Sequence, residues 1–413
     1  MSNFRPYNTI GKEEIEAVQK VMRTGVLSKF LGSAGEDFYG GPQVQKFENN
    51  IKKYFKVKYA ITVNSWTSGL ICCVGALDIS PGDEIIVTTW SMCASATAIL
   101  HWNCIPIFVD VDPDTYNIDP NSIEKKITKK TKAIMTVDIF GQSCEILKIM
   151  KIAKKYNLKV ISDSAQSIGS KVGDKYSGTL ADVGGYSLNY HKHINTGEGG
   201  IIVTNNKKIY QRACLIRNHA EAAIKKSANK NELSNMIGHN FRFGEVESAI
   251  GIQQLKKLKK LIKKRQFFVG ILNRELSKLK FLKIPKVYKN NTHVYYLYPL
   301  KYDYLKGLVT RKQLVSKLKS NKVPYLIEGY SNIHLLPIFQ KKIAYGKNNF
   351  PWSINKLNKN YDYTKGICPN AEELNDKSFF AIEICLFELS KKNIRFIISK
   401  FRKTWKELFS QNV

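Results

Sequence analysis

From about residue 43 onward, short apolar runs alternate with longer stretches whose apolar positions recur every three or four residues. The first pattern predicts strands and the second predicts helices. "GPQVQKFENNIKKYF" (41–55) reads as a helix. "KYAITVNS" (58–65) reads as a strand that runs into the helical "WTSGLICCVGALDI". Strand "DEIIVTT", helix "SMCASATAILHWN" and strand "IPIFVDVD" follow. Then come strand "KAIMTVDIFG", helix "CEILKIMKIAKKYN" and strand "LKVISDSA". Strands that alternate with helices predict an α/β fold with a mostly parallel sheet. Runs such as "IIV" and "IFVDV" are continuous in apolar character, as expected when helices cover both faces of the sheet.

After "GGIIVTNN" the pattern is mainly helical and includes the long amphipathic "EVESAIGIQQLKKLKKLIKKRQFFVGILNREL". Beyond about residue 265 it mixes: "THVYYLYPLKY" as a strand, "TRKQLVSKLKSN" as a helix, "KKNIRFIISKFRKTWKELF" as a closing helix. This predicts a smaller α+β unit. A chain of 413 residues exceeds one ordinary core. The expected division is a large domain over 1–260, N-terminal segment included, and a small C-terminal domain over 261–413. The boundary falls inside the long helix.

Composition narrows the class. A hydrophobic fraction of 43% with 11% aromatics fits a folded protein. No apolar run approaches the ~20 residues that span a bilayer, so membrane insertion is not expected. The opening "MSNFRPYNTIGKEEIEAV" lacks the apolar core of a signal peptide, which favours a cytoplasmic protein. The eight cysteines form no CxxC pair and sit in apolar surroundings such as "GLICCVGAL". They read as reduced, buried thiols, and no metal site is expected.

The net charge of +31 raises the question of a polyanion partner. Only about ten of the 65 basic residues are arginine. Nucleic-acid surfaces recruit arginine for its planar fork. The lysines here accompany asparagine and isoleucine, as in "KNNFPWSINKLNKNYDY", and no zinc spacing, RNP-like stretch or helix-turn-helix is visible. The charge therefore reads as compositional bias, and nucleic acid is not expected as a partner. A positive field still suits a small anionic substrate.

Ligands of open α/β sheets bind beyond the carboxyl ends of strands. Three features fall there. In "TVNSWTSGL" a strand meets a helix start, where the N–H groups of Trp66, Thr67 and Ser68 either cradle a phosphate or are simply capped by Ser65 or Thr67. In "VISDSAQS" Asp163 directly follows a buried strand, as a site carboxylate or as a helix cap, with Gln166 three residues on. In "GYSLNYHKHINTGEGG" Lys192 stands between two histidines, five residues after Ser187 and just before a glycine-rich turn. It is either a buried, reactive amine or an exposed turn lysine. A buried lysine can lose its proton and attack an aldehyde. An aspartate can keep a pyridine nitrogen protonated. Together with a phosphate cradle, these are the requirements of pyridoxal 5′-phosphate (PLP).

At this point the ordered motifs carry a resemblance. "YSLNYHKHINTGEGG" resembles the cofactor-lysine motif of the sugar aminotransferase family labelled DegT/DnrJ/StrS: serine, four residues, lysine, then a Gly-Glu/Asp-Gly-Gly turn. "VISDSAQSIGS" resembles its Asp-x-x-Gln motif, and "VNSWTSGL" its phosphate turn. "IPIFVDVDPDTYNIDP", "IRNHAEA" and "GHNFRFGEVESAIGIQQLKKL" also fit. The likeness is good over about 5–260 and looser beyond.

The resemblance implies the type I aminotransferase fold and an enzyme that moves an amino group from an amino acid, L-glutamate, to a nucleotide-linked keto sugar for polysaccharide synthesis. It implies that Lys192 holds PLP as a Schiff base and shuttles the proton. Asp163 would pair with the pyridinium nitrogen, and Gln166 would bond the ring's phenolic oxygen. Ser187, Trp66 and Thr67 would hold the phosphate. Asn240, in "HNFR", would reach the phosphate of a neighbouring subunit, which makes a homodimer with shared active sites. Two departures stand out. Trp66 replaces a small residue, so that its indole narrows the site or only its backbone is used. Met92 stands where an aromatic covers the PLP ring, with Trp90 as the substitute cover. The alternative activity is a keto-sugar dehydratase, a lyase using pyridoxamine phosphate. There a histidine replaces the lysine, and retention of Lys192 argues against it.

Overall fold

Seven strands make the main sheet of the computed structural model, which describes residues 4–224, 236–355 and 361–409. They are β1 (Tyr59–Val63), β2 (Glu84–Thr88), β3 (Ile105–Val109), β4 (Thr131–Val137), β5 (Lys159–Asp163), β8 (Val183–Ser187) and β9 (Gly200–Thr204). Between β5 and β8 lies a two-residue hairpin of β6 (Lys171–Val172) and β7 (Lys175–Tyr176). The order across the sheet is β1-β9-β8-β5-β4-β2-β3. β3, β2, β4, β5 and β8 are parallel neighbours, and β9 runs antiparallel to both β8 and β1. The predicted strands and helices are all present, with the helices at Pro42–Phe55, Trp66–Ala76, Ala94–His101, Ile146–Lys155, Glu245–Leu276, Arg311–Ser320 and Lys391–Phe409.

Hydrophobic patterning assigned no strand at β8, nor at Leu282–Lys283, Leu326–Glu328 or Phe379–Ile382. β8, with the sequence "VGGYS", carries two glycines and no apolar run. It persists because the sheet pairs it on both sides. An added Cβ at Gly185 would lie 1.9 Å from Ile201 O and 2.3 Å from the Trp66 ring, so close approach demands glycine there.

A second, antiparallel sheet joins β10 (Leu282–Lys283), β11 (Tyr298–Tyr302), β13 (Phe379–Ile382) and β12 (Leu326–Glu328). The long helix Glu245–Leu276 serves two cores. Ile252, Leu255, Leu258 and Ile262 pack with Tyr186 and Ile201 of the main sheet. Phe268, Val269, Leu272 and Leu276 pack with Leu300 and Phe380 of the second sheet. The boundary expected at 260/261 lies within this helix. Among the described residues no helix is long and apolar enough to cross a membrane.

Candidate active site

Parallel strands aim their carboxyl ends at one edge of the sheet, and the connections after β1, β2, β5 and β8 bring the chemistry there. β5 ends at Asp163, which pairs with Gly185 of β8. β8 ends at Ser187, five residues before Lys192. β9 begins at Gly200, which lies between Val63 at the end of β1 and Ser187 at the end of β8. The preceding turn is glycine-dependent as expected: Gly197 has φ +84° and Gly199 φ +153°.

Lys192 is 7% exposed, so the exposed-turn alternative is excluded. Its Nζ lies 4.2 Å from the centre of the Tyr296 ring. Burial pushes the amine down to about 8, against the opposing pull of Cys385 and Asp163. A lysine near 8 has a substantial neutral, nucleophilic fraction around neutrality. The flanking histidines differ. His193 is core, with Nε2 2.8 Å from Val294 O. His191 is half-buried between the rings of Tyr190 and Tyr296, and burial lowers it to about 4.

Asp163 is 4% exposed. Oδ1 accepts from Trp66 Nε1 at 2.7 Å and from Ala165 N at 3.2 Å, and Oδ2 accepts from Ser95 Oγ at 2.7 Å. Burial raises its pKa, while the Ser95 and Trp66 donors and the Lys192 charge oppose that rise. Ser95 is the site residue that sequence reasoning missed. It lies in the helix after β2, 68 residues from Asp163, and nothing local marks it.

Gln166 uses both ends of its amide on protein groups. Oε1 accepts from Phe140 N at 2.8 Å and Nε2 donates to Tyr330 Oη at 2.9 Å. An amide nitrogen carries a second hydrogen, which remains for a ligand. Tyr330 is a further site residue, brought in from beyond β12, and burial pushes its hydroxyl up to about 12.

The helix start after β1 is capped by Ser65, whose Oγ accepts from Ser68 N at 3.1 Å. This removes Ser68 from the expected phosphate cradle. The amides of Trp66 and Thr67 are in the first turn and have no partner within the helix. An added Cβ at Gly200 would come within 2.8 Å of Trp66 N, so glycine keeps that amide open. Ser187, 5% exposed, stands opposite Gly200.

Two expectations change. Trp66 does more than lend its backbone: its indole reaches the carboxylate. Trp90 is not an available cover. It is fully buried among Tyr116, Phe140, Tyr330 and Phe379, as part of the core. Met92 is 57% exposed, its Sδ accepting from Ala94 N at 3.1 Å. Asn240 is also exposed and bridges to Asn218.

The residues present fit PLP. A buried lysine, a buried carboxylate, and open amides beside Ser187 and Gly200 match its aldehyde, ring nitrogen and phosphate in kind. The fold is that of aminotransferases. The structure of Helicobacter pylori PseC, an aminotransferase involved in the biosynthesis of pseudoaminic acid, superposes with a TM-score of 0.79 at 26% identity, over 98% of this chain and 99% of that one. The model of the DegT/DnrJ/EryC1/StrS aminotransferase family matches residues 8–360, and the chain belongs to that family. The GDP-perosamine synthase of Escherichia coli O157:H7 is 34% identical over 306 residues, 73% of this chain and 80% of that protein. A structure of GDP-4-keto-6-deoxymannose-3-dehydratase with bound GDP-perosamine is also similar, at 25% identity and a TM-score of 0.76, covering 97% of this chain and 100% of that one.

Proposed function

We propose that this enzyme uses PLP to transfer an amino group from an amino acid, L-glutamate, to the ketone of a nucleotide-linked sugar. The observation that carries the reading is the buried Lys192 amine, five residues past the end of β8, within electrostatic reach of the buried Asp163 carboxylate at the end of the neighbouring parallel strand β5. The names of similar proteins, GDP-perosamine synthase among them, supply the sugar-nucleotide class. The net charge of +31 suits a substrate with an anionic diphosphate.

When bound, PLP supplies an electron sink that takes up the charge left as a proton leaves the substrate carbon. Each protein group then has a defined task. Lys192 would hold the aldehyde, and its amine would take and return the proton at the substrate carbon bearing nitrogen. Asp163 would face the ring nitrogen. Gln166 would donate to the phenolic oxygen. Ser187 Oγ with the amides of Trp66 and Thr67 would bind the phosphate. Met92 would cover the ring. Asn240, exposed in one chain, reaches the phosphate of a second copy, so the working unit is a homodimer. Its setting is the cytoplasm.

Incubation of the purified enzyme with glutamate and a panel of keto sugar nucleotides, read by mass, tests this. An amino sugar and 2-oxoglutarate are expected. A deoxy sugar formed by loss of water assigns the lyase activity instead. Protein from PLP-replete cells that carries no cofactor overturns the reading altogether.

A further inference from the structure

Trp66 and Asp163 are 97 residues apart in sequence and joined by a 2.7 Å hydrogen bond in the buried site. The contact is built rather than incidental. The indole lies in a slot cut by two glycines: an added Cβ at Gly185 would meet Cζ3 at 2.3 Å, and one at Gly69 would meet Cε3 at 2.6 Å. Any side chain at either position would push the ring out.

An indole N–H donates and never accepts. It therefore needs an acceptor at Oδ1, and its bond strengthens with the negative charge of the ionised carboxylate, whereas the Ser95 hydroxyl can turn to suit either protonation state. An ionised carboxylate offers about four acceptor sites. Trp66, Ser95 and Ala165 occupy three of them. One remains for a fourth donor.

We propose that Trp66 is a positioning residue: its indole N–H, seated in the slot left by Gly69 and Gly185, locks the Asp163 carboxylate in one orientation and keeps it ionised to hold a protonated ring nitrogen. This rests on the PLP reading above. Among the described residues the other four indole N–H groups bond no carboxylate. Trp102, Trp352 and Trp405 donate to Ile71 O, Tyr363 Oη and Lys280 O, and Trp90 is buried without a partner.

The test compares wild type, Trp66→Phe, Asp163→Asn and the double variant, as full chains loaded with PLP. Phenylalanine keeps an aromatic ring in the slot and removes the donor. A ring nitrogen held less firmly as a cation withdraws less charge from the linkage to Lys192, whose proton then leaves at higher pH. In Trp66→Phe the pH midpoint of the bound cofactor's visible absorbance is expected to rise by about half a unit or more. In the glutamate half-reaction kcat should fall about tenfold or more with KM within about twofold. In the Asp163→Asn background the same change should add no further shift, because the carboxylate is gone. A midpoint and kcat equal to wild type, or an equal further loss in Asp163→Asn, overturns the proposal. A wild type without bound cofactor instead sinks the PLP reading. Where Trp66→Phe does not fold, 15N-tryptophan labelling of the apoprotein serves: Asp163→Asn must move one indole resonance, and five unmoved indoles overturn the contact.

Discussion

The Lys192 amine sits 4.2 Å above the centre of the Tyr296 ring, 104 positions further along the chain. An aromatic face favours an ammonium ion, but burial disfavours it more. Burial pushes the amine down to about 8, opposed by the charges of Cys385 and Asp163. That is low enough to be nucleophilic and high enough to take up a proton.

Loss of that amine is the most direct intervention. Lys192→Ala should abolish covalent retention of PLP and lower amino transfer by at least about 10³-fold. Absorbance after gel filtration, with turnover of glutamate, measures both. Retained visible absorbance in the variant shows that another amine carries the cofactor.

The depressed lysine also gives a pH signature. Its folded value, about 8, lies below its ordinary 10.5. Between these values the unfolded chain binds a proton that the folded chain does not, so this group's contribution to stability rises with pH through that window. Below about pH 8 the burial penalty is present in full, and above about 10.5 it vanishes. Relative to Lys192→Met, the apoprotein should gain up to about 3 kcal/mol from pH 8 to 10.5. Urea unfolding of both proteins across that range measures the difference. Cofactor capture by the apoprotein should likewise quicken from pH 6.5 to 8.5.

Gly200, the first residue of β9, leaves the Trp66 amide open. In Gly200→Ala the new methyl would press on Ser65 and on Trp66 N, at 2.8 Å. PLP affinity is expected to weaken by about tenfold or more. Titration of the apoprotein with PLP reads the change. Unaltered affinity would remove the Trp66 amide from the cradle.

Behind β1, Arg217 and Glu48 form a buried pair at 2.8 Å, and the same Glu48 oxygen accepts from Thr62 N and Oγ1. Arg217 also donates to Thr62 O at 3.2 Å. Removal of one partner strands the other charge. Glu48→Ala should therefore cost about 3–5 kcal/mol. Replacing both residues with apolar ones of similar volume should recover much of that loss, as read by denaturant midpoints.

The alternating strands and helices were legible because their signals are local. "IIV" in β2 and "IPIFV" in β3 are continuous apolar runs, and a segment with that pattern tends to be buried on both faces wherever it lies. Asp163 was legible because it ends a strand that the pattern marks, and Lys192 because it stands between two histidines just before a glycine-rich turn. β8 was not, since its glycines answer to Ile201 and Trp66 rather than to any propensity of their own.

The sequence by itself determined the order of elements, the lysine, the aspartate and the glycine turn, because these depend on neighbours along the chain. Only the tertiary structure decided that Trp66 and Ser95 grip Asp163, that Tyr296 lies beneath Lys192, that Tyr330 meets Gln166, and that Trp90 belongs to the core. Hydrogen bonds and ring contacts act over a few ångströms whatever the separation in sequence. Chain folding alone sets which distant side chains come that close.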